Sequence, residues 1–334
     1  MPVDGPVVDP QGGAAVGRWA GVRYRLVTRS DFDGLVCAVL LRQLDLIDDV
    51  LFVHPKDVQA GLVEVTGDDI LTNLPYAPAA HLVFDHHSSE GIRTGGTADN
   101  HVITTTAPSA ARVVHDYYGG AGRFPGVSEA LMTAVDQADS AQYALEDVLH
   151  PTGWMLLNFL MDSRTGLGRF RDFRVSNYQL MMQLIDWCIV HQDVEEILAL
   201  PDVAERAELF RAQETLFVEQ LRRVTTVSGD VGVVDLRHEG LIHAGNRFMV
   251  YALFPEVRVS VHVLQGKQNQ NTVLAIGRSI LDRTSSVDIG AVALAHGGGG
   301  HEAAGTCQVS HAEAEAALAE VVAAVRTERV PAPV

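Results

Sequence analysis

The chain is predicted to be an α/β protein in two parts: an N-terminal mainly parallel sheet with helices on both faces, then a connector helix and a smaller C-terminal α/β domain. Three observations carry that prediction. Short apolar runs alternate with helix-period segments through the first half, which is the signature of a covered parallel sheet. Residues 202–226 form one amphipathic stretch of helical period. A second strand and helix alternation follows it.

Val22–Thr28 reads as the first strand and Gly34–Leu44 as the helix behind it, with Leu35, Val39 and Leu40 at helical spacing. Val50–Val53 and Leu82–Phe84 are further short strands, and helical patterns cover Ser109–Tyr118, Ser128–Asp139 and Tyr178–His191. The stretch 202–226 places Leu209, Leu216, Phe217 and Leu221 on one stripe, a connector between domains. Beyond it, Asp230–Leu236, Val257–Leu264 and Thr272–Ile276 read as strands, and His243–Leu253, Val287–Ala295 and Ala312–Thr327 as helices. Residues 1–20, rich in Gly, Pro and Ala, read as a flexible leader, and the tail from Arg329 looks similar. The boundaries expected are therefore 1–20, 21–200, 201–227 and 228–328.

With 334 residues, 47% hydrophobic and 20% charged, the composition is that of a globular protein large enough for two cores. Acidic residues outnumber basic ones by 42 to 25, a net charge of −17, which opposes a stable grip on long duplex nucleic acid. A processive nuclease on long single strands is disfavoured for the same reason, since no basic stripe interleaved with aromatics occurs. Cys37, Cys188 and Cys307 lie far apart without metal-ligand spacing and read as buried thiols of a reducing compartment. No apolar run of membrane length and no signal-peptide pattern is seen, so a cytoplasmic location is expected, with no membrane partner.

Chemistry concentrates at four places. Asp31-Phe32-Asp33-Gly34 lies where the first strand passes into its helix, which points carboxylates into the crevice beyond the strand ends. Asp85-His86-His87 ends another strand and mixes carboxylate with imidazole. Ala134-Val-Asp136-Gln-Ala-Asp139 offers a further carboxylate pair at a helix end. Gly297-Gly-Gly-Gly-His301-Glu-Ala-Ala-Gly305 lets the backbone approach a ligand closely, and amides at the start of a following helix would attract an anion. Hard oxygen donors with imidazole suit Mn²⁺ or Mg²⁺.

Taken together, these motifs resemble the DHH phosphoesterase superfamily, in the branch carrying a DHHA1 C-terminal domain. RecJ-type nucleases, nano-RNA and pAp phosphatases, and linear or cyclic dinucleotide phosphodiesterases share the layout, and the resemblance spans about residues 22–325. It implies a DHH domain over 21–200 and a DHHA1-like substrate-binding domain over 228–328. It implies Asp31, Asp33, His86 and Asp136 as metal ligands and Asp85 with His87 as the catalytic pair, His87 contacting phosphate or assisting proton transfer. It further implies Arg278, Ser279, Gly298, Gly299, Gly300 and His301 as substrate-binding residues.

Two positions depart from the family pattern. Its first motif usually opens with a His that falls here on Val27, and its bridging Asp falls on Asn73, a poorer bridging ligand. His54 and Asp69 are the nearby candidates to substitute. The expected function is therefore hydrolysis of a small phosphorylated substrate (a short oligonucleotide, dinucleotide, nucleoside bisphosphate or polyphosphate) by water activated on Mn²⁺ or Mg²⁺. The alternative is a catalytically impaired member that binds a nucleotide as a sensor or scaffold. His243, Asn246, Arg247 and Arg93 are polar groups equally suited to substrate contact or to the solvated surface. The apolar stripe of 202–226 leaves a homodimer open.

Overall fold

The computed structural model describes residues 23–87, 90, 93–94 and 98–326; the expected leader 1–20 and the tail from Arg329 lie outside them. Five strands, β1 (Tyr24–Thr28), β2 (Ile47–Phe52), β3 (Asp69–Thr72), β4 (Leu82–Asp85) and β5 (His101–Ile103), form one sheet in the order β2-β1-β3-β4-β5. All four pairings are parallel. Parallel strands are covered on both faces, and Leu26, Val27, Ile70, Leu71, Val83 and Phe84 are accordingly all buried.

The chain leaves β1 towards β2 on one side and returns to β3 on the other. A crevice therefore opens above the carboxyl ends of β1 and β3, where open α/β sheets bind ligands. Helix α1 (Phe32–Gln43) starts there and is buried from Phe32 to Leu41. Such an all-round apolar helix is the centre of a layer, packed between the sheet and helices α2 (Ala110–Tyr117), α3 (Glu129–Asp139) and α4 (Asn177–Cys188). Gly34 is required by the turn, because a Cβ there would stand 2.1 Å from the Arg29 carbonyl oxygen.

The 202–226 stretch is observed as a helix over Pro201–Val224, with Phe210, Phe217 and Leu221 buried. It runs straight into a second, six-stranded sheet. That sheet comprises β6 (Thr225–Ser228), β7 (Val231–Asp235), β8 (Val259–Gln265), β9 (Thr272–Arg278), β10 (Gly299–His301) and β11 (Ala304–Val309), ordered β10-β11-β9-β8-β7-β6. Only β7 and β8 pair in parallel. One apolar cluster joins Leu26 and Leu35 of the first part to Leu221, Val234 and Tyr251 of the second, so the long helix packs on both parts instead of standing free.

Two expected elements differ. Only Met249–Leu253 of the stretch 243–253 is helical; before it, Asn246 turns its side chain back, its amide donating to Val148 O and its carbonyl accepting from Phe248 N. The glycine run does not lead directly into a helix either. Gly297, at φ +72, ends the helix Ile289–Ala295, and residues 299–309 turn back as the β10–β11 hairpin. The glycines serve close packing: a Cβ at Gly298 or Gly300 would lie 2.2 Å from the carbonyl oxygens of Thr306 and Ala304 respectively.

Candidate active site

Three side chains converge above the carboxyl ends of β1 and β4. A carboxylate oxygen of Asp33, an imidazole nitrogen of His86 and a carboxylate oxygen of Asp139 all lie within 4.8 Å of one another. Asp33 is buried at 2% exposure and held by the first amides of α2, accepting from Ala110 N at 3.1 Å and Ala111 N at 2.8 Å. A helix N-terminus is a natural seat for a carboxylate. Burial nevertheless pushes its pKa well above the ordinary value, and the neighbouring Asp139 charge adds to the rise.

His86 presents Nδ1 to the Ala107 carbonyl at 3.3 Å and Nε2 to Asp139 Oδ2 at 2.9 Å. Burial lowers its pKa, but the Asp139 contact and the charges of Asp33 and Asp85 outweigh that and hold it at about 9. The Nε2 atom is fully buried without an aligned hydrogen bond. A buried imidazole nitrogen of this kind, aimed at two carboxylates, fits a divalent cation better than it fits an apolar core.

His87 is positioned differently. Asp85, with no exposure, accepts on Oδ1 from His86 N at 2.8 Å and His87 N at 3.1 Å, and the same oxygen lies 2.6 Å from His87 Nδ1. That contact fixes the ring and leaves Nε2 as its free nitrogen. The ring stacks on His301, centroids 4.6 Å apart, so the tip of β10 meets the end of β4 across the crevice.

Four expected residues make other contacts. Asp136 is occupied by Arg112 Nε at 2.9 Å and by the Ser109 hydroxyl at 2.7 Å; Asp139, one helical turn on, faces His86 in its place. Asp31 caps α1, accepting from Gly34 N at 3.0 Å, and pairs with Arg29 at 3.0 Å beside the cluster. Ser279 is buried, its hydroxyl accepting from Leu281 N and Asp282 N, and so is turned away from the crevice. Gly298 lies behind the hairpin, whereas Arg278, Gly299 and Gly300 line a cavity of about 490 Å³.

Neither candidate substitute supplies the missing ligands. Asp69 sits at the amino end of β3, bound by Arg25 at 2.7 Å. His54 caps a short helix through Nδ1, which accepts from Lys56 N at 3.2 Å. Val27 is fully buried among Leu71, Leu74 and Val83. Asn73 ends β3 with φ +54, buried, and neither amide atom of its side chain has a hydrogen-bond partner.

Sequence reasoning missed Asp162 and Arg164. Arg164 Nε donates to both Asp162 oxygens, at 2.7 and 3.0 Å, and Arg247 approaches the same carboxylate at 3.8 Å. Arg164, Arg247 and Arg278 all line the 490 Å³ cavity, a local cationic surface inside an acidic protein. A Ser-Arg pair after an apolar helix carries no motif, so nothing in the sequence marks it.

Among solved structures, the chain is similar to a pGpG-specific phosphodiesterase, PggH of Vibrio cholerae, at 54% identity and TM-score 0.75, covering 90% of this chain and all of that one. It belongs to the DHH phosphoesterase superfamily, in the DHH-DHHA1 branch. RecJ of Thermus thermophilus, solved with Mn²⁺, shares the fold at 17% identity and TM-score 0.53, over 93% of this chain and 53% of its own. No family model and no curated protein matches the sequence. The DHH tripeptide Asp85-His86-His87 thus divides its work within the family fold: His86 faces the carboxylate cluster, while Asp85 orients His87. Among the described residues no helix is long and apolar enough to cross a membrane.

Proposed function

We propose that the chain is a divalent-cation-dependent phosphodiesterase that hydrolyses a linear dinucleotide with a 5′-phosphate, pGpG being the foremost candidate. The observation that carries this reading is the 54% identity to a pGpG-specific phosphodiesterase across 90% of the chain. The site supports it. Asp33, His86 and Asp139 would hold the cation, Mn²⁺ or Mg²⁺, which when bound acidifies water and offsets phosphate charge.

The remaining work falls to the chain's own groups. His87, held by Asp85 through Nδ1, presents Nε2 for hydrogen bonding to phosphate or for transferring a proton. Arg278, whose Nη1 is engaged by Ser285 O and Glu302, lines the facing cavity with Gly299 and Gly300 and keeps its other guanidinium nitrogens to offer to an anion. The His87–His301 stack links the two sheets across the crevice and fixes the orientation of the His87 ring.

Val27 and Asn73 favour a single occupied cation position, because the second would lack both an imidazole and a bridging carboxylate. Steady-state hydrolysis of pGpG with added Mn²⁺, followed by chromatography for GMP, tests the proposal. GMP release that is abolished by chelator is expected; tight pGpG binding without turnover at any cation concentration would instead favour a nucleotide sensor.

A further inference from the structure

Two cavities flank one turn. The 490 Å³ cavity runs from Arg278 and Gly300 to Tyr251 and His262, and a second of about 560 Å³ is bounded by Arg29, Asp31, His54 and Asn177. Both are within the roughly 300–1,000 Å³ range of small-ligand sites. Only Ser163 and Arg164 line both. The turn Ser163–Thr165 is fixed at each end: Thr165 Oγ1 donates to Asp162 O at 2.8 Å, and Thr165 O accepts from Gly245 N at 2.9 Å.

Arg164 is unlike a surface arginine. Its Nε is engaged by Asp162, while its two Nη groups make no hydrogen bond among the described residues. Its side chain is 53% accessible, and that accessibility faces the cavities it separates. It lines the 560 Å³ cavity together with Asp31, which lies beside the cation cluster. Arg164 and Arg247 share one carboxylate, so Asp162 does not neutralise both guanidiniums, and the two Nη groups of Arg164 remain able to donate to a phosphodiester oxygen.

We propose that Arg164 grips the phosphodiester linking two nucleotides, with one nucleoside in each cavity, and so sets the register of a two-nucleotide substrate. This rests on the dinucleotide reading above and names the group that positions its bridging phosphate. A purely structural arginine would hold Asp162 and nothing else.

The experiment uses the full chain and two variants, Arg164→Met and Arg164→Lys, with pGpG as the probe. Binding is measured by calorimetry in EDTA, and kcat and KM with Mn²⁺. For a folded Arg164→Met, a fall in kcat/KM of about 10²-fold and a tenfold or greater loss of pGpG affinity in EDTA are expected, with cation binding unchanged. The lysine variant, which keeps the charge but loses the fork, should recover part of both. Values within threefold of wild type in the folded methionine variant would overturn the proposal. Should that variant not fold, the lysine variant decides: a KM or Kd shift of fivefold or more supports the proposal, and a smaller one overturns it. If wild type binds pGpG without cleaving it, the functional reading fails while the binding measurements still decide the role of Arg164. If wild type does not bind pGpG, the proposal is overturned.

Discussion

Asp136 and Asp139 lie on the same helix, yet only one faces the imidazole. Asp139 Oδ2 is 2.9 Å from His86 Nε2, and Asp136 is tied to Arg112 and Ser109. Substituting each with Asn therefore separates two roles. Asp139→Asn should abolish divalent-cation binding, read by calorimetric titration. Asp136→Asn should keep cation binding and cost about 1–3 kcal/mol of stability, because Arg112 is left partly buried without its partner. The reverse pattern would return the ligand role to Asp136. Gly34 makes a second residue-scale case. A methyl group there meets the Arg29 carbonyl oxygen at 2.1 Å, so Gly34→Ala should destabilise by upward of about 3 kcal/mol in a denaturant melt, although alanine is the better helix former.

At the scale of elements, the β10–β11 hairpin shows what the sequence carried and what it did not. Four glycines before His301 mark a close backbone approach, and the approach is there, but to neighbouring strand carbonyls as well as to a cavity. Glycine spacing reports the need for space and leaves open what fills it. Run length and flanking turn residues told most strands from helices, because burial on both faces of a sheet and on every side of α1 leaves unbroken apolar runs without a clear period. Asp33, Asp85, His86 and His87 were legible from position at strand ends. Asp139 was not distinguishable from Asp136 without the rotation of the helix, and Arg164 was invisible because its partners come from the fold. Gly300→Ala tests the hairpin: its Cβ would press on the Ala304 carbonyl, shifting the cavity wall. KM for pGpG should rise about tenfold, the equivalent of about 1.4 kcal/mol, with cation binding at Asp33, His86 and Asp139 unchanged.

The turn at 162–165 also sets an acid limit. Burial acts to raise the Asp162 pKa, but the Arg164 and Arg247 guanidiniums outweigh it and hold the carboxylate down at about 2. An unfolded Asp titrates near 3.9, so the ion pair stabilises the folded state above that pH, and the stabilisation is lost as pH falls towards 2. The difference corresponds to about 2–3 kcal/mol at neutral pH. Asp162→Asn should be less stable than wild type by about that amount at pH 7, and the gap should close below pH 3. A constant gap from pH 7 to pH 2 in urea melts would remove Asp162 as its source.

Across the whole molecule, charge and shape act in opposite directions on a nucleic acid. A net charge of −17 repels a polyanion at long range, whereas Arg164, Arg247 and Arg278 gather on the lining of one cavity. Only a ligand short enough to enter reaches the cationic surface, and one that extends outside meets added repulsion with every further phosphate. The two cavities flanking Arg164 give room for two nucleosides. Discrimination by length should therefore be steep: kcat/KM should fall by about tenfold or more from pGpG to pGpGpG, and again to a 20-nucleotide strand. Salt separates this cause from simple crowding. Raising ionic strength screens the outer acidic field, so the penalty on the long strand should shrink with added KCl while pGpG turnover falls only slightly. Competition assays with labelled pGpG at two salt concentrations measure both. A long strand that binds more weakly as salt rises, with a steep logarithmic slope, would mean that a basic track outside the cavity governs recognition.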